Sequence, residues 1–270
     1  MEILVGADPE LFAFDKDTPI SAYGMIPGTK HEPFKIDNGA IQVDGMALEF
    51  NIDPAKDEVE FIKNLNSVMA TLRSMVPNYD VRAVPVAEFG AEYLAQQPLE
   101  AVELGCNPDF DAWSNGGVNE PPNALAPFRT GAGHVHIGWV KDNNADIYTT
   151  AHMDKCVSII KQLDYFLGLP SLFFDKGAKR RMLYGKPGCF RPKTYGAEYR
   201  VLSNQWVETD ELKGWVFRNT QAAMDRHEKG DLVYKRVSPK ILKSLMEETP
   251  DLRRVRQVLD KLEIEIPKAA

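Results

Sequence analysis

Four segments of the sequence carry two polar side chains that are spaced two residues apart within an apolar run. Side chains at this spacing on a β-strand point to the same face of a sheet. Charged groups in the middle of a sheet are costly unless they are paired, hydrogen-bonded or bound to a metal. The pairs are Asp8/Glu10, Glu49/Asn51, His134/His136 and Glu198/Arg200.

If the four strands share one sheet, the pairs would place several carboxylates and two imidazoles on one face. Carboxylate oxygens suit Mg²⁺ or Mn²⁺, and imidazole tolerates Mn²⁺ or helps to hold a phosphate. Each pair alone could equally be a solvated edge or a satisfied ion pair. Their joint occurrence is what indicates a metal site.

A basic, glycine-punctuated stretch follows, RRMLYGKPGCFRPK at residues 180–193. Alone it could be an exposed basic loop. A carboxylate–metal platform that faces arginines is, however, what phosphoryl transfer requires. The sequence has no P-loop and no kinase HRD or DFG motif, so a phosphate site would have to be built on the sheet itself.

The elements that must position these residues can be predicted from hydrophobic periodicity and from capping and turn residues. Predicted strands cover residues 2–14, 41–52 with Gly45 as a candidate bulge, 81–89, 133–140 and 197–206. Predicted helices run from an Asp53–Pro54 start to about Val76, from Asp146 to about Leu167, and over 209–229, 239–247 and 250–262. This mixed order predicts an α+β fold with a mainly antiparallel sheet.

Composition narrows the class of protein. The 270 residues suit one sizeable domain, and the sequence excludes collagen, coiled coil and full disorder. Three widely spaced cysteines form no CxxC pair, which supports neither a zinc knuckle nor a disulfide framework and favours a reducing cytoplasm. We expect no membrane span and no signal peptide.

The formal net charge is −7, which argues against nucleic acid as a partner. The charge is uneven, because residues 1–130 hold 8 Lys and Arg against 21 Asp and Glu, whereas residues 131–270 hold 24 against 18. The imbalance could reflect two differently solvated surfaces. It could also reflect a metal-binding half and a phosphate-binding half of one site.

The sequence resembles the glutamine synthetase/glutamate–cysteine ligase superfamily. More closely, it is similar to the carboxylate–amine ligases of that fold known from phages and bacteria as COOH–NH2 ligases, type 2. The segments that carry the resemblance are GADPELF at 6–12, DGMALEFNIDPA at 44–55, GCNPDFDAW at 105–113, GAGHVHIGW at 131–139 and RRMLYGKPGCFRPKTYGAEYRVLSNQW at 180–206.

The resemblance implies a curved antiparallel sheet backed by helices. Residues 1–208 would form the catalytic domain, and the helices of residues 209–270 would pack on it. ATP with Mg²⁺ or Mn²⁺ would activate a small-molecule carboxylate as an acyl phosphate, and an amine would attack to give an amide. The reaction would take place in the cytoplasm, that of the host if the chain is phage-encoded.

The resemblance also implies roles for individual residues. The metal ligands would be Asp8, Glu10, Glu49, His136 and Glu198. The nucleotide would contact His136, His134, Lys193 and Tyr184. The catalytic arginines, which stabilise the phosphoryl group or hold phosphate or carboxylate, would be Arg200, Arg191 and Arg181. Where the superfamily often has two glutamates, this chain has Asp8 and Glu10.

The sequence leaves other functions open. Guanidino kinases share the fold, so the chain could be a phosphotransferase. It could be a catalytically silent binding or virion protein, or a metal hydrolase built on His134 and His136, although a hydrolase would leave the arginines unexplained. The long loop at residues 105–130, with Trp113, Asn115 and Arg129, could be a lid, a substrate contact or an ordinary surface loop.

Overall fold

The computed structural model describes residues 3–102, 109–120 and 126–268. The strands are β1 (Leu4–Asp15), β2 (Thr18–Ile20), β3 (Phe34–Ile36), β4 (Gly39–Asp44), β5 (Ala47–Ile52), β6 (Asp80–Arg82), β7 (Val86–Glu88), β8 (Phe110–Asp111), β9 (Gly117–Val118), β10 (Phe128–Thr130), β11 (Gly133–Gly138), β12 (Cys189–Lys193) and β13 (Gly196–Tyr199). The α-helices are α1 (Glu58–Met75), α2 (Ala91–Ala95), α3 (Leu99–Val102), α4 (Thr150–Leu163), α5 (Leu169–Ser171), α6 (Ala178–Leu183), α7 (Asp210–Glu228) and α8 (Leu252–Lys261). A π-helical turn covers Asp164–Gly168, and 3₁₀ helices cover Ala112–Ser114, Asn204–Val207, Val233–Lys235 and Pro239–Met246.

Eleven of the described strands form one sheet. Nine of them follow the order β3-β4-β5-β1-β11-β13-β12-β8-β9, while β2 and β6 pair with the far end of β1. The pairings between these strands are antiparallel. Strands β7 and β10 form a separate antiparallel pair. The prediction of an α+β fold with a mainly antiparallel sheet is confirmed.

Strict alternation gives the central strands two different faces. In β1, Val5, Ala7 and Leu11 lie in the main hydrophobic core, while Asp8 and Glu10 point the other way because they are one residue out of phase. The other central strands follow the same rule. Helix α1 packs on the core face against β4 and β5, helix α4 packs against β12 and β13, and α7 packs on both helices.

A smaller hydrophobic cluster covers one end of the polar face. Phe12 and Phe14, which continue the Asp8/Glu10 side of β1, pack there with Ala87 of β7 and with Leu94 and Ala101 of α2 and α3. The polar part of this face is therefore bounded on one side by packed apolar residues.

Several predicted elements begin, end or divide differently. The segment 41–52 is a hairpin of β4 and β5, and Gly45, with φ of 60°, lies in its turn, so the predicted bulge was wrong. Helix α1 starts after Asp57, whose side chain accepts a hydrogen bond from the Glu60 amide. The predicted start at Asp53–Pro54 was therefore four residues early.

Other boundaries shift for similar local reasons. The predicted strand 81–89 divides into β6 and β7, which belong to different sheets. Thr149, rather than Asp146, caps α4 by accepting from the His152 amide, and the helix passes into the π-helical turn after Leu163. The predicted strand 197–206 ends at Tyr199, and Arg200 follows it directly.

The C-terminal helices were placed correctly, although residues 239–246 form a 3₁₀ helix. Leu212, Trp215 and Val216 of α7 lie in the main core, while the division of the chain at residue 208 stays a prediction. No helix in the described part of the chain is long and apolar enough to cross a membrane.

A buried aspartate ties the core face of the sheet to the 110–118 segment. Asp164, in the π-helical turn, is fully buried. It accepts hydrogen bonds from Trp113 Nε1 at 2.6 Å and from Tyr199 Oη at 2.9 Å. Burial raises the pKa of Asp164 to about 7, although both hydrogen bonds oppose the shift. The pKa of an aspartate in the unfolded chain is about 3.9.

Asp164→Asn should therefore change how stability depends on pH. Because the pKa of Asp164 is raised on folding, its contribution is fully present below about pH 4 and is lost as pH rises towards about 7. An amide cannot ionise. The melting temperature of the wild type should accordingly fall relative to that of the variant between about pH 4 and pH 7, as calorimetry can measure. A constant difference across this range would show that Asp164 stays ionised in the folded protein.

Candidate functional site

Strand register places the predicted polar residues in neighbouring positions on one face. His134 of β11 lies opposite Asp8 of β1. On the other side of β11, Glu198 of β13 lies opposite His136. Arg191 of β12 in turn lies opposite Glu198. Segments that are up to 190 residues apart in the sequence thus form one continuous polar surface.

Asp8, His136 and Glu198 form the centre of this surface. Each offers one ligand atom, and the three atoms all lie within 4.8 Å of one another. Asp8 Oδ1 is 3.0 Å from His136 Nε2 and 3.2 Å from His134 Nδ1. Asp8, His136 and Glu198 are called the central cluster below.

Three cations converge on the Glu198 carboxylate. Lys193 Nζ is 2.6 Å from Oε2, and Arg191 Nη1 is 3.6 Å from Oε1. Arg200 Nη1 also contacts Oε1, while its Nε is 3.4 Å from Asp109 Oδ2. The side chains of Glu198 and Arg200 are only 1% and 2% exposed, so their pair is shielded from water and from screening by salt. The side chains of Arg191 and Lys193 are partly exposed, at 19% and 32%.

The electrostatics of the central cluster favour charged carboxylates. Burial alone would raise the pKa of Asp8, but the charges of His136 and His134 outweigh it and hold that pKa well below its usual value. Burial and Asp8 would likewise raise the pKa of Glu198, but Lys193 and the two histidines lower it.

The pKa values of the two histidines are shifted in opposite directions. Burial would lower the pKa of His136, yet the neighbouring Asp8 carboxylate raises it above its usual value. For His134, burial and then the charge of Arg200 lower the pKa to about 4, so His134 is neutral near pH 7.

Glu10 and Glu49 lie beside the central cluster on the same face. They are direct partners across β1 and β5. Glu10 Oε2 accepts a hydrogen bond from the Ala132 amide at 2.8 Å, and Glu49 Oε2 accepts one from Gln42 Nε2 at 2.6 Å. Burial and then Asp44 raise the pKa of Glu10 to about 7.

The pKa of Glu49 is raised as well. Its pKa is raised well above the usual value by burial and then by the charges of Asp8, Asp44 and Glu10. Lys30 extends from the loop before β3 and pairs with Asp44 at 2.9 Å. This end of the polar face is therefore acidic, whereas the β12–β13 end is basic.

Tyr184 stands at the basic end. Its ring faces the guanidinium carbons of Arg200 and Arg180, which lie 5.2 and 5.5 Å from the ring centroid, and the centroid of the His134 ring is 6.3 Å away. Arg180 is fully buried and donates hydrogen bonds to the carbonyls of Val201, at 2.6 Å, and Arg200, at 3.2 Å. Arg180 thus supports the backbone that carries Arg200.

The structure does not bring Arg181 to this surface. Arg181 is buried and pairs with Asp175 at 2.9 Å, and its Nε donates to the Leu245 carbonyl at 2.5 Å. Consecutive residues on a helix point about 100° apart, which is why Arg180 faces the sheet and Arg181 faces the C-terminal segment.

The residues suggested for a lid or substrate contact also lie elsewhere. Trp113 bonds to Asp164 on the core side, and Asn115 Oδ1 accepts from Lys161 of α4 at 3.4 Å. Arg129 donates to the backbone carbonyls of Ala126, Phe128 and Val102. Residues 105–108 and 121–125 of this predicted loop lie outside the described residues.

Sequence reasoning missed several residues of the polar face. Gln42 and Asp44 alternate with core residues of β4, so the same two-residue spacing could have found them. Asp109 lies in the quoted GCNPDFDAW segment and could have been paired with an arginine. Lys30 reaches this face through Asp44, and Tyr195 reaches it through a hydrogen bond between its hydroxyl and His136 Nδ1. Nothing in the sequence around either residue indicates this.

The donor set fits a divalent cation. Two carboxylates and one imidazole supply oxygen ligands with a single nitrogen, a combination suited to Mg²⁺ or Mn²⁺. Asp8 Oδ1 and His136 Nε2, although 3.0 Å apart, are buried and not aligned as a hydrogen bond. An ion that accepted both atoms as ligands would satisfy them.

The fold and these side chains define a class of site. The protein is an α+β protein whose sheet face could hold a divalent cation next to an anionic ligand. The model of a family described as Phage phiEco32-like COOH.NH2 ligase-type 2 matches residues 122–236. Among curated proteins, none matches the chain at a significant level.

The family match supports an enzyme of the carboxylate–amine ligase kind. It covers fewer than half of the 270 residues. It includes strands β11, β12 and β13 but not β1 or β5. The structure, rather than the match, brings Asp8, Glu10 and Glu49 beside the matched strands.

Removing one carboxylate should have opposite effects at the two ends of the face. Glu198→Gln would remove the closest counter-charge of buried Arg200 and one counter-charge of partly exposed Lys193 and Arg191, so we expect the free energy of unfolding to fall by about 3 kcal/mol. Glu49→Gln would relieve repulsion among buried carboxylates, so we expect the free energy of unfolding to rise by about 1 kcal/mol. Urea denaturation of the metal-free protein at pH 8 would measure both changes. A shift in the same direction for the two variants would contradict this charge distribution.

Proposed function

We propose that this protein is an ATP-dependent ligase that joins a small-molecule carboxylate to an amine through an acyl phosphate. The observation that carries the proposal is the meeting of the central cluster with three cations at Glu198. The similarity to carboxylate–amine ligases over residues 122–236 points in the same direction. We place the reaction in the cytoplasm, that of the host if the chain is phage-encoded.

The acidic residues would hold the metal. Asp8, His136 and Glu198 would bind one Mg²⁺ or Mn²⁺, and Glu10 with Glu49 would bind another in the neighbouring row. A cation there would also explain why two carboxylates with raised pKa values face each other. When bound, the metals neutralise phosphate oxygens of ATP.

The basic residues would hold the phosphates. Arg191, Lys193 and Arg200 all reach the same carboxylate, so an anion placed beside Glu198 would lie within reach of all three. Arg200 is fixed from both sides by Glu198 and Asp109, and this preorganisation suits a group that stabilises charge in a transition state. Neutral His134 and Tyr184 would border the nucleotide.

The reaction would take place in two steps. A carboxylate oxygen of the substrate attacks the γ-phosphorus of ATP, and the bond to ADP breaks. The amine nitrogen then attacks the acyl carbon, inorganic phosphate leaves, and the nitrogen loses a proton. The cations would stabilise the charge that develops on the phosphoryl oxygens in both steps.

Two alternatives give different products. A phosphotransferase of the same fold would yield ADP and a phosphorylated acceptor without releasing phosphate. A silent binding protein would yield neither. The burial and mutual pairing of the charged residues favour an intact site, because isolated buried charges are costly to keep.

A screen for ADP release should reveal turnover that requires both a carboxylate and an amine. Amino acids, polyamines and other carboxylates would be tested with Mg²⁺ and ATP, and mass spectrometry would identify the amide. Glu198→Gln should lower turnover at least about 100-fold, because it removes a charged metal ligand and one of the two carboxylates that hold Arg200. Glu211→Gln, which changes an exposed carboxylate on α7, is the matched control.

Hydroxylamine provides a direct check on the intermediate. As a small amine it should convert an acyl phosphate into a hydroxamate, released together with ADP and phosphate. A phosphorylated acceptor without free phosphate would instead establish the phosphotransferase. Unchanged turnover in Glu198→Gln would refute the proposed site.

A further inference from the structure

Tyr195 lies in the turn between β12 and β13, and its side chain reaches across the sheet to His136. Its hydroxyl forms a short hydrogen bond with His136 Nδ1. The two ring centroids are 5.9 Å apart, with the planes inclined by 39°. His136 is therefore held on the side of its ring that faces away from Asp8.

The backbone around Tyr195 is fixed to the strand that carries His136. The Tyr195 carbonyl accepts hydrogen bonds from the amides of Trp139, at 2.9 Å, and Val140, at 3.0 Å, just beyond the end of β11. The next residue, Gly196, packs so closely that a Cβ there would lie 2.0 Å from the Ile137 carbonyl oxygen. The position of the hydroxyl relative to β11 is thus determined by the fold.

The other nitrogen of the His136 ring, Nε2, faces Asp8 and Glu198, the other two members of the central cluster. His136 Nε2 is 3.0 Å from Asp8 Oδ1. A nitrogen can bind a metal only if it carries no proton, so a metal on Nε2 requires the proton to be on Nδ1. The Tyr195 hydroxyl can accept a hydrogen bond from that proton.

We infer that Tyr195 is a positioning residue that orients His136 so that Nε2 points at the central cluster as a metal ligand. This inference rests on the proposed function, because it presupposes a metal among Asp8, His136 and Glu198. Histidine ligands commonly have such a partner on the second ring nitrogen, and its loss weakens metal binding by about 10–100-fold.

His134 provides a contrast within the same strand. It turns Nδ1 towards Asp8 and Glu198, at 3.2 and 3.5 Å, and its buried Nε2 has no hydrogen-bond partner among the described residues. Within the described ranges, no side chain therefore holds Nε2 of His134 as Tyr195 holds Nδ1 of His136. Of the two histidines, His136 is the one built to serve as a ligand.

Tyr195→Phe removes the hydroxyl and keeps the ring. Titration with Mn²⁺, followed by electron paramagnetic resonance, should show about 10–100-fold weaker binding than in the wild type. Tyr148→Phe, in which a residue that is 90% exposed loses its hydroxyl, should bind Mn²⁺ as the wild type does. Circular dichroism of the metal-free variants would confirm that both are folded.

Two further measurements separate positioning from general destabilisation. In ¹⁵N spectra of the metal-free protein, Tyr195→Phe should shift the ring nitrogen signals of His136 but not those of His227. In a His136→Ala background, where the ligand is already lost, Tyr195→Phe should weaken Mn²⁺ binding by less than twofold, because the two residues act through one interaction.

Equal Mn²⁺ affinity of the wild type and Tyr195→Phe, with unchanged His136 signals, would overturn this inference and leave the proposed metal site intact. Failure of the wild type itself to bind Mn²⁺ would contradict the metal site and the inference together. An additional loss of affinity in the His136→Ala background comparable to that in the wild type would also overturn it, because Tyr195 would then act through another residue.

Discussion

The placement of charge inside the sheet is the constraint on which the rest of the structure depends. Asp8 and Glu198 lie in central strands, where a charged group is stable only with partners of opposite charge. The partners come from five other positions, namely two histidines on β11, two cations on β12 and Arg200 just beyond β13. Each partner is on the correct face because the strand alternation and register are fixed.

The supporting structure can be understood as a means of holding that register. The apolar face of the sheet packs against helices α1 and α4, on which α7 packs in turn. A slip of one residue would exchange the polar and apolar faces. Arg180 and Asn204 fasten the backbone from the side of the site, through the carbonyls of Arg200 and Glu10. Tyr195 does the same for the end of β11 and for the His136 ring. These contacts give the cluster a preorganised shape.

Much of this could be predicted from the sequence, because two-residue spacing determines which side chains share a face. That rule identified Asp8, Glu10, Glu49, His134, His136, Glu198 and Arg200, and the structure places them on one surface. It could not separate Arg180 from Arg181, since a short helix turns one towards the sheet and the other towards Asp175. Nor could it find Lys30 or Tyr195, because loops and turns carry no periodicity that shows where their side chains point.

We propose that the central cluster of Asp8, His136 and Glu198 binds a metal next to the phosphates of ATP. A crystal structure with Mn²⁺ and a non-hydrolysable ATP analogue would test it most directly, because Mn²⁺ can be located by anomalous scattering. We expect an anomalous peak about 2.0–2.4 Å from the ligand atoms of these three residues, with the terminal phosphate next to Arg191, Lys193 and Arg200. Nucleotide bound away from this face, or no anomalous peak at the central cluster, would contradict the proposed metal and ATP site.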